Sequence, residues 1–120
     1  MAPASSADTE RDAQAILQLL LDAPQLSQYY HFDQRPDRLP LALVNRSGAD
    51  IGQPGLTVQK QAVVISSSPS DKAVEITTLR IGADTANLEF AFRVEGVRGT
   101  AGFRKSQGNW TLDKLSVAER

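Results

Sequence analysis

His31 and Asp33 are the residues of this chain best suited to proton transfer, and they stand two apart. On an extended strand positions i and i+2 share a face, so imidazole and carboxylate would meet there as a general acid–base pair. Such a pair needs further partners. The chain has one histidine and no cysteine, which leaves no second imidazole and no thiolate for a metal, and no GxSxG turn presents a serine nucleophile. No catalytic residue, metal or cofactor is therefore expected.

The surrounding stretch, LSQYYHFDQRPDRLPLALV from Leu26 to Val44, also holds both tyrosines and two of the six prolines, Pro36 and Pro40. One reading is a stiff connector. Tyr29, Tyr30 and Phe32 then bury their rings against the end of a helix, while Asp33, Arg35, Asp37 and Arg38 are solvated or satisfy turn backbone groups. A second reading is recognition, because tyrosine and arginine combine large contact area with polar ends and prolines lower the entropy lost on binding. Tyr29, Tyr30, His31, Asp33, Arg35 and Arg38 form the first expected contact set.

A second set comes from strand periodicity. Glu75, Arg80, Asn87, Glu89, Arg93, Arg98, Thr100 and Arg104 fall on one sheet face, opposite the apolar parity. Pairs such as Glu89 or Arg93 with Arg98 or Arg104 would stabilise by only ~0.2–1 kcal/mol each, so a solvated, salt-bridged face is the plain expectation. A stripe of Arg93, Arg98, Arg104 and Lys105 would instead hold an acidic partner or ligand. The face carries no aromatic on which bases could stack, which argues against a single-strand nucleic-acid platform. Trp110, directly after a GN turn, is expected to anchor packing at the end of the core.

The elements that position these residues are legible. Ala13, Ile16, Leu17 and Leu20 repeat with helical spacing and predict a helix from about Asp8 to Asp22, ended by Pro24, with Leu19 and Leu21 widening its apolar arc. Thr9 and Asp12 resemble a capping box at its start. LPLALVN predicts a short strand, and LTVQKQAVVIS a long one broken in phase around Gln59–Gln61. In AVEITTLRI the apolar parity changes at Thr77–Thr78, as a β-bulge would produce. ANLEFAFRV alternates cleanly, VRGTAGFRK continues its buried parity after an EG turn, and SQGN turns the chain into WTLDKLSV, which slips phase between Leu112 and Leu115. Gly99 and Gly102 are expected to permit bending or close approach of the helix. The fold class is α+β: one N-terminal helix on one face of a curved antiparallel sheet of five or six strands, with residues 1–7 a flexible tail and 8–120 one domain.

The closing run FRKSQGNWTLDKLSV, through Phe103, Gly108, Trp110 and Leu112, is similar to the final hairpin of cystatin-like and NTF2-like domains over the last third of the chain. That resemblance implies, as an alternative, a cone with a pocket between helix and sheet that binds or turns over a small apolar molecule. NTF2-like domains carry more helices before the sheet, where this chain has Pro36, Pro40 and Pro54.

Composition bounds the function. At 120 residues, 41% hydrophobic and 22% charged, the chain suits one globular domain. Thirteen basic and fourteen acidic residues leave a net charge of −1, unlike a phosphate-backbone binder. No apolar run approaches the roughly 20 residues of a membrane-spanning helix. The small, polar start MAPASSADTE fits a chain whose export signal or lipid anchor has been removed, hence a periplasmic or cell-envelope protein, with a frayed cytoplasmic N-terminus as the alternative. The expected function is a small non-enzymatic domain acting by protein–protein contact, of the inhibitor or immunity type. A homodimer through exposed strand edges is a third reading.

Overall fold

The computed structural model describes residues 6–30, 34, 41–48, 51, 55–58, 60–66 and 73–119, with the side chains of the first helix from Arg11 onward. His31, Asp33, Arg35 and Arg38 lie outside the described residues.

Helix α1 (Ser6–Asp22) begins two residues before the expected start, so Thr9 sits inside it rather than at its cap. Its apolar stripe is the predicted one. Ala13, Ile16, Leu17, Leu20 and Leu21 are all buried, and Leu19 packs at the margin. Pro24 cannot continue the helix, but it can open one, since the first helical position needs no N–H. A one-turn helix α2 (Pro24–Ser27) follows at once and buries Leu26.

Eight strands follow among the described residues: β1 (Ala42–Asn45), β2 (Thr57–Val58), β3 (Gln61–Ala62), β4 (Val64–Ser66), β5 (Val74–Ile81), β6 (Thr85–Phe92), β7 (Val97–Ser106) and β8 (Asn109–Glu119). Six of them form one sheet in the order β4-β1-β5-β6-β7-β8. From β5 to β8 it is antiparallel, as expected, with the strands in chain order as a meander. β1 is different: it pairs in parallel with both β4 and β5, so the whole sheet is mixed. A strand flanked by parallel neighbours is commonly buried on both faces. Consistent with this, the successive residues Leu43 and Val44 are both buried, as are Val74, Glu75 and Ile76 beside them. The expected single apolar layer therefore holds for β6 and β7 and fails at β1 and the start of β5.

The stretch predicted as one long strand is in fact a hairpin followed by a separate strand. β2 and β3 pair antiparallel around Lys60, which takes a positive φ of 63°, and β4 joins the main sheet. The hairpin docks on α1 through a side-chain amide. Gln18 Nε2 donates to the Thr57 carbonyl at 2.8 Å, and Gln18 Oε1 accepts from the Thr57 N–H at 3.0 Å. This substitutes for a strand partner on both backbone groups of Thr57.

Both predicted irregularities are present. Register shifts between Ile76 and Thr78 on β5, and opposite Gly102 and Phe103 on β8, so the apolar parity can change while the same face stays buried. Gln107 (φ 52°) and Gly108 (φ 83°) make the two-residue turn between β7 and β8, the left-handed pair that suits a tight hairpin. The core lies between α1 and the sheet, with Leu88, Phe90, Phe92, Val97, Ala101 and Phe103 facing the helix stripe.

Candidate functional site

Two open concavities, of about 740 and 640 Å3, lie on the sheet face turned away from α1. They share Glu89, Thr100 and Ser116 and form one trough across β5 to β8. Strand register explains its floor. One cross-strand row runs Glu75, Ala91, Arg98, Ala118; the next runs Thr78, Glu89, Thr100, Ser116; the third runs Arg80, Asn87, Gly102, Lys114. The first and third rows place smaller side chains between charged ones, and the second sets Glu89 among threonines and a serine. The small residues leave the backbone accessible, and the charged residues stand as a rim.

Arg80, Asn87, Glu89, Arg93, Arg98, Thr100 and Arg104 are exposed on this face, as expected. Glu75 is the exception. It is 4% exposed and is the only buried charged residue among the described residues. Its carboxylate accepts from Arg93 Nη2 at 3.3 Å and lies 3.9 Å from Arg46 Nη1. A carboxylate removed from water needs such partners, and here both are arginines that remain about half exposed. Arg93 itself stands in a 3-10 turn, Arg93–Glu95, that closes on Gly96 at φ 65°.

The expected ion pairs of the face are not the ones formed. Glu89 stands opposite Thr100, and Arg98 opposite Ala91. Arg93 turns to Glu75, and Arg104 meets the bulge residue Asp113 at 3.7 Å. Lys105 leaves the proposed basic stripe altogether. It follows Arg104 on a regular strand and so points to the helix side, where its ammonium lies 3.4 Å from Asp12 and 5.7 Å from the Trp110 ring centroid.

The helix side has a concavity of its own, about 700 Å3, between α1 and the β7–β8 turn. Asp12, Gln18, Asp22, Lys105 and Trp110 in its lining are already engaged. Trp110 Nε1 donates to Asp12 Oδ1 at 3.0 Å, and Gln18 holds Thr57. Asp12 thus ties helix to hairpin rather than capping the helix, and Trp110 is the packing anchor that its position after the turn suggested.

Both tyrosines serve the fold. Tyr30 is 3% exposed, its hydroxyl donates to the Leu21 carbonyl at 3.0 Å, and its ring meets Phe92 edge-on at 5.8 Å. Burial, with the Asp22 charge second, raises its pKa well above the ordinary phenol value. Tyr29 donates a hydrogen bond to Glu119 at the end of β8, which raises its pKa likewise. A ring as buried as that of Tyr30 offers a partner no surface. Of the first contact set, Tyr30 is therefore a core residue, while Tyr29 remains half-buried at the end of β8.

Gly99 also has a different role from the one expected. A methyl group there would lie 2.4 Å from Phe90 Cζ and 2.6 Å from the Ser116 carbonyl oxygen. The glycine admits the Phe90 ring and the neighbouring strand, not the helix. Among the described residues, no group of three or more histidine, cysteine or carboxylate side chains could hold a metal ion. No helix among them is long and apolar enough to cross a membrane.

No protein-family model matches this chain, and neither do any curated protein or solved structure.

Proposed function

We propose that the domain is a non-enzymatic binding module of the inhibitor or immunity type in the cell envelope, and that its contact surface is the trough on the open sheet face. The observation that supports this reading is the pairing of a small-residue floor with exposed charged side chains left uncommitted. Arg80, Arg98, Lys114 and Glu89 line the trough and make no ion pair among the described residues. A floor of threonine, serine, alanine and glycine lets a second layer approach the sheet closely. The pocket required by the cystatin-like or NTF2-like alternative finds no comparable support. Leu88, Phe90 and Phe92 are buried against Ile16, Leu17 and Leu20 in one apolar cluster.

The absence of cysteine allows a direct test, because any introduced thiol is unique. Thr100→Cys carrying a maleimide-linked polyethylene glycol covers the middle of the trough, and Gln25→Cys carries the same label on α2. Proteins captured from envelope extract by unlabelled protein should survive the Gln25 label and be lost with the Thr100 label. Retention of the same proteins by the Thr100-labelled domain would reject the open face as the contact surface.

A further inference from the structure

Around the buried carboxylate of Glu75 the face carries more positive charge than Glu75 can balance. Arg46 and Arg93 both reach it, and Arg98 stands two strands away in the same cross-strand row, about 10 Å at the usual strand spacing. Two guanidinium groups share this carboxylate and that of Arg98 stands unpaired among the described residues in the same row, so these three cations outnumber Glu75 by two. Each guanidinium has five N–H donors in a planar fork, so those of Arg46 and Arg93 not turned to Glu75 are available to an anion.

The excess continues along the face. Among the described residues, those that line the trough or pair with its lining comprise six cations, Arg46, Arg80, Arg93, Arg98, Arg104 and Lys114, against three anions, Glu75, Glu89 and Asp113. The whole chain is at −1, so the face is a basic patch on a nearly neutral molecule. Glu89, one row from Arg98, is the one carboxylate of the three without an ion pair among the described residues. It is outnumbered by Arg80 and Lys114 in the row beyond.

We infer that Arg46 and Arg93, held in place by Glu75, form with Arg98 a carboxylate-binding site that receives an acidic segment of a protein partner. This rests on the face being the contact surface and adds the chemistry of what it contacts. Charge complementarity selects the acidic occupant. Nucleic acid would match the charge equally, but the face offers it no stacking surface: Phe90, Phe92, Phe103 and Trp110 are buried on the helix side. Glu75 is a positioning residue, since the two arginines it holds would otherwise sample many rotamers.

Hexaglutamate peptide is the probe, measured by calorimetry and by amide shifts at low and at physiological salt. Binding should shift the amides of Arg93 and Arg98. It should weaken as salt rises, because the charges are exposed and screened over about 8 Å at physiological ionic strength. Arg93→Ala with Arg98→Ala should weaken it by about tenfold or more, the loss of one to two charge-assisted contacts. Arg104→Ala, whose side chain is paired with Asp113, should change it little. Equal affinity in the double variant, or tighter binding of hexathymidylate than of hexaglutamate, would overturn the site. If the Thr100 label blocks capture while hexaglutamate ignores Arg93 and Arg98, the contact face stands and the carboxylate site falls. If the Thr100 label blocks nothing, the contact face itself falls.

Discussion

Tyr30 brings a hydroxyl into an apolar core and satisfies it on a helix carbonyl, so its worth lies in a hydrogen bond as much as in its ring. Tyr30→Phe should cost about 0.5–1.5 kcal/mol of unfolding free energy at neutral pH, read by urea denaturation. The same residue sets an alkaline limit. A phenol whose folded pKa is raised binds its proton more tightly than the unfolded chain does, so its contribution is whole below pH ~10 and is lost as pH climbs towards the folded value. The loss is about 1.4 kcal/mol per pH unit for one such group. Tyr30→Phe should remove this slope. Gly99 and Gly102 make a matched pair on one strand. Gly99→Ala drives a methyl into Phe90 and the Ser116 carbonyl and should cost about 1–3 kcal/mol. Gly102→Ala meets nothing nearer than 3.9 Å and should stay within about 0.5 kcal/mol of the parent.

Among the elements, the tie between α1 and the β7–β8 hairpin depends on Asp12. Its Oδ1 is the acceptor for the indole N–H of Trp110, which is otherwise buried, and it also faces Lys105. Asp12→Ala should cost about 1–3 kcal/mol by leaving that donor unsatisfied. Lys105→Ala should cost under about 1 kcal/mol, because its pair is partly exposed. Thermal unfolding of the two variants separates the roles. This contact joins residues 98 positions apart, so no local pattern announces it, and Asp12 looks instead like part of a helix cap. The helix stripe, the clean alternation of Ala86 to Phe92 and the two bulges were legible because each is a local period or a break in one. The hairpin at Lys60 was not, since Gln59–Lys60 lacks the glycine or asparagine that usually takes a positive φ. Parallel pairing at β1 escaped for a related reason. A run of four apolar residues, LALV, shows burial on both faces but says nothing about which strands lie beside it.

At the scale of the whole molecule, the two sides of the sheet divide the work. The helix side is closed by apolar packing, while the far side beyond Glu75 stays open and basic. The exposed positions of that side were legible from strand parity. Its partners were not, because ion pairing depends on register, and register is set by the bulges and by the strands that come together. The sheet edges are β4 and β8, and the long β8 edge carries a bulge at Asp113 together with Lys114 and Glu119, features that discourage strand-to-strand association. The measurement that bears most directly on the open face is a solvent paramagnetic-relaxation map of methyl groups, recorded with the domain alone and with a captured partner added. The methyls of Thr100 and Ala118 should be strongly relaxed in the free domain and shielded in the complex, with Leu17 and Leu88 shielded in both. Shielding of Thr100 and Ala118 in the free domain, or unchanged relaxation when the partner is bound, would contradict the account.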